Sequence, residues 1–515
     1  MVRRRDWRPP VTAEGLTLLP SQRSREPKVS VERSALRLLP EPKRVISKPF
    51  LPGGGLFPDG RSRVERILRR VLDLPEETVH AALSDVYEQF ASRHLDFSAL
   101  LERQFRAVSH RVPEPQALSE QRRQLLGAYF THEYSIEAAA LTNPSLVQAP
   151  HQEGAAPGTL RVLMSLRAIG EGHISSIQFR SGIVDSHGRI ELDEVSRFAR
   201  TALHRHPTYD KATFLAKLGE MGVTAQTAQD VLQSLSDRFS LESLESRIAE
   251  VEQAHASDPD LLHVLRTIHW LASSNYESTF HADSQPSERI IFPSSPTESH
   301  GMEDARFVRF KYDDGSVTYF APYTAYDGLR ILPQLIETRD FLTFRMTTLN
   351  GAAAVNKGIA LFPRQIDGAF VALARLDNEN NYLIRSNNVR FWHEQQLLQG
   401  PRAAWELVQL GNCGSPIETD AGWLVITHGV GPMRSYALGA LLLDLDDPSK
   451  VIGCLEQPLL SPAADERDGY VPNVVYSCGA LRFGNMLYLP YGVSDVGARV
   501  ATVKVDELLS ALTLS

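Results

Sequence analysis

Cysteine is scarce in this chain of 515 residues, with three in all: Cys413, Cys454 and Cys478. Three scattered thiols with no CxxC pair argue against a disulfide framework and a structural zinc site, and favour a reducing compartment. Long apolar runs are missing too. The run Ala437–Leu443 is ended by Asp444 and Asp446, far short of the roughly 18 residues that suggest a membrane span. The basic start Met1-Val-Arg-Arg-Arg-Asp has no apolar stretch behind it. No secretory signal is read there, and a cytoplasmic protein without membrane contact is expected. Nor is there an excess of positive charge. Lys and Arg number 54 against 62 Asp and Glu, a formal charge of −8, so no nucleic-acid partner is expected. Neither a P-loop nor an HExxH motif occurs, and the glycines of Ile169-Gly-Glu-Gly-His173 open no helix. No metal and no cofactor is expected.

What is present is ordinary globular material, 43% hydrophobic and 23% charged, enough for two to four domains. The charge is uneven. Residues 1–48 hold twelve basic side chains against five acidic ones, a balance of +7, so the rest of the chain carries −15. With its prolines and the following Gly53-Gly54-Gly55, the stretch 1–61 reads as a basic arm, partly disordered. From Ser62 the period is helical. Val64, Ile67, Leu68, Val71 and Leu72 form one apolar stripe, and residues 62–135 read as a helical lobe. Residues 136–194 turn to β texture around Arg161–Ala168 and Ile174–Gly182. Helical stripes return over 195–275, where Asp258-Pro259 has the chemistry of a helix start. From 276 to 515 short strands alternate with turns, among them a hairpin around Asp313-Asp314-Gly315. Even spacing of short strands favours a β-sandwich, barrel or propeller, interrupted by the helical insertion.

The polar residues concentrate between these strands, in Glu298–Arg306, Tyr323–Gly328, Gly411–Pro416, Thr427–Gly431, Gly469–Asn473 and Leu489–Asp495. Loops on a rigid scaffold are common places for binding groups. Carboxylates, amides, Arg, His and Tyr together suit a polyhydroxylated ligand, hydrogen-bonding its hydroxyls while an aromatic ring covers its apolar face.

These residues also carry a resemblance. Glu303-Asp304-Ala305-Arg306, Tyr323-Thr-Ala-Tyr-Asp-Gly328, Leu361-Phe-Pro363, Gly422-Trp-Leu424, His428-Gly429, Leu442-Leu-Asp-Leu-Asp-Asp-Pro448 and the run Gly469–Gly479 together resemble glycoside hydrolase family 130. That family contains β-mannoside phosphorylases and β-1,2-mannosidases. The resemblance covers about 136–195 and 276–515 and leaves out the arm and the helical lobe. It implies a mainly β fold, a five-bladed β-propeller with its active site at the central cavity.

By the resemblance, Asp304 is the catalytic acid, passing its proton to the glycosidic oxygen through the mannose 3-hydroxyl. Phosphate then attacks the anomeric carbon from the opposite face and gives α-mannose 1-phosphate. An acid needs a raised pKa. The adjacent Glu303 is expected on the other face of its strand, bound to Arg306. Asn143, Arg167 and Asp495 correspond to residues that hold the mannose, and Arg306, Tyr326, Asp327, Gln409 and Tyr491 complete the expected sugar-binding set. Inorganic phosphate as co-substrate needs several donors. Those expected are His428, which matches a phosphate residue of the family, with Arg375, Lys357 and Arg330. One departure matters: Gln409 stands where many of the family's phosphorylases carry Lys. Its missing charge keeps open a β-1,2-mannosidase, for which Glu466 is the expected base. A non-catalytic sugar-binding propeller is the third reading. The helical regions suggest a homo-oligomer.

Overall fold

The computed structural model describes residues 29–53, 57, 60–255 and 258–512. The first half of the basic arm therefore lies outside the described residues. The protein is mainly β, built from antiparallel meanders that follow one another along the chain, and among the described residues no sheet is closed.

The first meander comprises Ala140–Gln148, Thr159–Ile169 and Ser175–Asp185, with Ile190–Leu192 outside. Through the bridge of Ser175 to Gly301 it joins a second group, chiefly Val317–Tyr326, Ile331–Thr338, Thr343–Thr348 and Tyr276–Thr279. A third meander runs Lys357–Leu361, Phe370–Arg375, Asn381–Ser386 and Glu394–Gln399. The fourth is Gln409–Asn412, Gly422–Val430, Tyr436–Leu443 and Val451–Cys454. The last holds Val475–Tyr476, Met486–Val493 and Gly497–Lys504.

Local chemistry explains these elements. Asp314 accepts from the Ser316 amide at 2.8 Å and Gly315 takes φ +83°, so the hairpin of Val308–Lys311 with Val317–Tyr326 turns where expected. Every residue of Gly422–Val430 is buried, as a strand covered on both faces must be. The bonding surface between sheets is apolar: Leu424, Ile426, Leu438 and Ala440 of the fourth meander pack with Leu487, Leu489, Ala501 and Val503 of the last.

Four helices, Arg63–Leu72, Glu76–Phe90, Phe97–Val108 and Glu120–Tyr129, share one core. The first starts on a capping box of Ser62 and Glu65 and buries Val64, Leu68 and Val71. Four more, Lys211–Glu220, Ala225–Leu232, Leu241–Ala254 and Pro259–Ser273, share another, and Asp258 caps the last. The segment read as helical from 195 opens instead with short strands, Arg200–Thr201 and Leu203–Arg205, that extend the sheets.

The described part of the arm is built into the fold. Val31–Leu38 pairs with Gly497–Lys504 at the edge of the last sheet, and Val45–Pro49 pairs with Thr131–Ser135. Arg44 is buried against Glu137 and Gln178, so its charge is an internal fastening rather than a solvated one. Among the described residues no helix is long and apolar enough to cross a membrane, and no group of three or more His, Cys, Asp or Glu side chains forms a metal-binding cluster.

Candidate active site

A polar cavity of about 360 Å³ opens among the loops. Its volume lies within the range of small-molecule sites, roughly 300–1,000 Å³. Asn143, Arg167, Asp304, Lys357, Arg375, Gln409 and Asp495, all expected from the sequence, line it together. They come from all five strand groups, so no stretch of sequence contains the site.

The backbone around it is unusual. Asn143, Asp304, Arg434 and Asp495 all sit at positive φ, between 49° and 55°. Non-glycine residues held there cost on the order of 1–3 kcal/mol each, and such positions cluster at functional sites. Asn143 escapes its strand through a register shift between Thr142 and Ser145. Gly492 allows this, since a Cβ there would lie 3.2 Å from the Asn143 amide nitrogen. Gly411 serves Arg375 in the same way: a Cβ would stand 2.5 Å from its Cδ.

Asp304 follows the short strand Gly301–Glu303. Its left-handed backbone breaks the alternation of a strand, and both Glu303 and Asp304 face the cavity. The expectation that Glu303 points away and binds Arg306 is therefore corrected. Glu303 accepts from Arg167 at 2.6 Å and stands 3.5 Å from Lys357 Nζ. Asp304 accepts a hydrogen bond from the Asn143 amide. Burial pushes the Asp304 carboxyl up, but Arg167, Lys357 and Arg306 with the Asn143 bond outweigh it and hold it below the usual range. The protein's own charges thus favour ionised Asp304, contrary to the raised value expected of an acid. Asp495 shifts the other way. Burial, reinforced by the charges of Asp304 and Glu303, raises it against the pull of Arg167 and Arg434.

Arg375 is buried and lines the same cavity. Its Nη1 donates to Nε2 of His428 at 3.1 Å, and it also donates to the Gln409 side-chain oxygen. The second His428 ring nitrogen, Nδ1, stands 3.8 Å from Cys413 Sγ. Burial and then the nearby Arg375 and Arg306 push His428 well below its ordinary value, so the imidazole is neutral. It is fully buried and does not line the cavity. His428 was expected to touch phosphate; here it holds Arg375.

The structure places the other expected residues elsewhere. Arg306 lies buried beneath the site and donates to the carbonyls of Gly358 and Asn412 and to the Tyr476 hydroxyl, tying three sheets together. Tyr326, Asp327 and Arg330 make a turn outside the lining: Asp327 accepts from the backbone amides of Leu329 and Arg330, and Tyr326 donates to the Gly328 carbonyl. Tyr491 and Glu466 bond to one another, both fully buried. Asn378, Arg434, Tyr436 and Tyr476 line the cavity without having been expected. Arg434, six residues after His428, sits in the same loop region and was open to suspicion from its charge alone.

A family model for glycoside hydrolase family 130, described as β-1,4-mannooligosaccharide phosphorylase, matches residues 269–514. The β-1,2-mannobiose phosphorylase of Listeria innocua is 30% identical over 249 residues, 47% of this chain and 68% of that protein. The 1,2-β-oligomannan phosphorylase of a Thermoanaerobacter species is 33% identical over 226 residues, covering 42% and 73% respectively. The solved structure of the Listeria innocua enzyme with β-1,2-mannobiose aligns with a TM-score of 0.44 at 21% identity, covering 74% of this chain and 93% of that one.

Proposed function

The chain belongs to glycoside hydrolase family 130, and from that premise we propose that it is an inverting phosphorylase of short β-mannosides. Its substrates are β-1,2- or β-1,4-linked manno-oligosaccharides with inorganic phosphate, and its product is α-mannose 1-phosphate. The observation that carries the reading is one cavity holding two unlike sets of groups. Asn143, Asp304 and Asp495 suit sugar hydroxyls; Arg375, Lys357 and Arg434 suit an oxyanion.

In this reading Asp304 gives a proton to the leaving oxygen by way of the 3-hydroxyl while phosphate attacks the anomeric carbon. The field of Arg167 and Lys357 favours ionised Asp304. An arriving phosphate dianion offsets that field and the sugar displaces water, and both changes raise the proton affinity of Asp304. Protonation is thereby tied to the loaded state. The mannosidase alternative needs a second carboxylate to activate water, and Glu466 is engaged by Tyr491, Arg499 and Arg33 instead.

The strand groups are read as the five blades of a β-propeller, with Val31–Leu38 completing the last blade after the chain has gone round. A sugar phosphate is useful where it can be metabolised, which favours the cytoplasm. The test is release of mannose 1-phosphate from β-1,2- and β-1,4-mannobiose with phosphate, against phosphate-free buffer. Free mannose at an equal rate without phosphate would overturn the reading.

A further inference from the structure

Phosphate brings negative charge into a cavity where two of the expected cations are already paired. Arg167 and Lys357 are both committed to Glu303, at 2.6 and 3.5 Å. Arg375 spends Nη1 on the neutral His428 and Gln409 side chains and has no carboxylate partner, so its charge is available but it is buried and held in place. Gln409 brings an amide, not a charge. Arg434 is different: among the described residues it lines the cavity with no hydrogen bond or ion pair, while Asp495 and Asp304 supply negative charge nearby.

The backbone gives a second, independent reason to single it out. Met433 and Arg434 are consecutive residues at φ +58° and +55°. The turn is closed by Gly431 N to the Ser435 carbonyl at 2.9 Å and Ser435 N to the Pro432 carbonyl at 3.2 Å. It is seated from below, because Gly429 and Gly431 lie against Trp405, where a Cβ would come within 2.5 and 3.0 Å of its atoms. Two adjacent left-handed residues without glycine are costly. Met433 and Arg434 are both exposed there, Met433 at 91%, and of the two only Arg434 lines the cavity.

We propose that Arg434 is the residue that recruits phosphate, supplying from the Pro432–Arg434 turn the positive charge that Gln409 lacks. A guanidinium offers a planar pair of donors to two phosphate oxygens. The approach of a dianion to a cavity whose carboxylates Glu303, Asp304 and Asp495 repel it needs a free cation at the wall. This rests on the phosphorylase reading and adds to it which residue selects the co-substrate.

The test is initial-rate kinetics of the full chain with mannobiose at varied phosphate. R434Q is expected to raise the KM for phosphate by about tenfold or more, the loss of one charge-assisted contact, and to leave the KM for mannobiose within about twofold. R434K should recover part of the loss. The double variant R434Q/Q409K, which moves the charge across the cavity, should recover more than half of it on a logarithmic scale. A rise in the mannobiose KM instead, an unchanged phosphate KM, or no rescue by Q409K would overturn the proposal. Phosphate alone separates it from the function reading. Millimolar phosphate should raise the melting temperature of the parent more than that of R434Q, even were the parent to show no phosphate-dependent turnover. Equal protection of both proteins would overturn the role of Arg434.

Discussion

Two clusters of carboxylates and arginines lie in this molecule, and they differ in whether their bonds close. Around Glu466 everything is paired. One oxygen accepts from Tyr491 at 2.7 Å and Arg499 at 2.8 Å; the other accepts from the Ala463 amide at 2.9 Å and stands 3.4 Å from Arg33. Around Asp304 the accounting stays open. Among the described residues its only hydrogen bond is from Asn143, Asp495 has none, and Arg434 has neither hydrogen bond nor ion pair; all face a cavity. A buried ionic group that is fully bonded holds the fold, since removing one partner strands the others. Groups held at strained backbone around a void, and left without partners, are available to a ligand. Residue type does not separate the clusters, but satisfaction does.

Three substitutions break or sharpen this contrast. The largest effect belongs to D304N. Without a proton donor, phosphorolysis should fall by about 10²–10⁴, measured as mannose 1-phosphate release. A loss below tenfold would move the acid elsewhere. E466A should act on the other quantity. It removes the acceptor of the buried Tyr491 hydroxyl and one partner each of Arg499, which keeps Asp465, and Arg33, which keeps the Ser461 carbonyl; unfolding stability should drop by about 1–3 kcal/mol in urea titrations, with turnover per folded molecule largely kept. Full stability with turnover lost as in D304N would instead make Glu466 a base. The smallest effect is a sign. Asp495 is raised in the folded state, so its ionised form is penalised at neutral pH; the penalty fades as pH falls through the folded value and is gone below the unfolded one, about 3.9. D495N should therefore be more stable than the parent at pH 7, with the gap closing towards pH 4. Asp304, held low, contributes stability above its unfolded value that is lost as pH falls through the folded one. D304N should be less stable than the parent at pH 7. Equal signs in the two variants would remove the electrostatic account of the cavity.

Much of the architecture was legible. Strand and turn chemistry located the hairpins, as with Asp377, which accepts from the backbone of Glu379 and Asn380 and turns Phe370–Arg375 into Asn381–Ser386. Helix starts at Ser62 and Asp258 were visible because a cap is a contact between residues two or three apart. The arm was less legible. Its charge suggested solvation, yet Arg44 is buried against Glu137, 93 residues away in the chain. Seven of the expected site residues share the cavity, because the ordered motifs mark the loops at the strand ends.

Sequence by itself determined the strand and helix periods, the turn and cap residues, and the ordered loop motifs that carry Asp304 and its family. These depend on neighbours within a few residues, where steric and hydrogen-bonding preferences are local. Tertiary structure decided which polar residues face the cavity. It turned Glu303 inward through the left-handed Asp304, set neutral His428 behind Arg375, closed the network on Glu466 and left Arg434 open. Those outcomes depend on burial and on partners tens to hundreds of residues away, and neither exists until the sheets have packed.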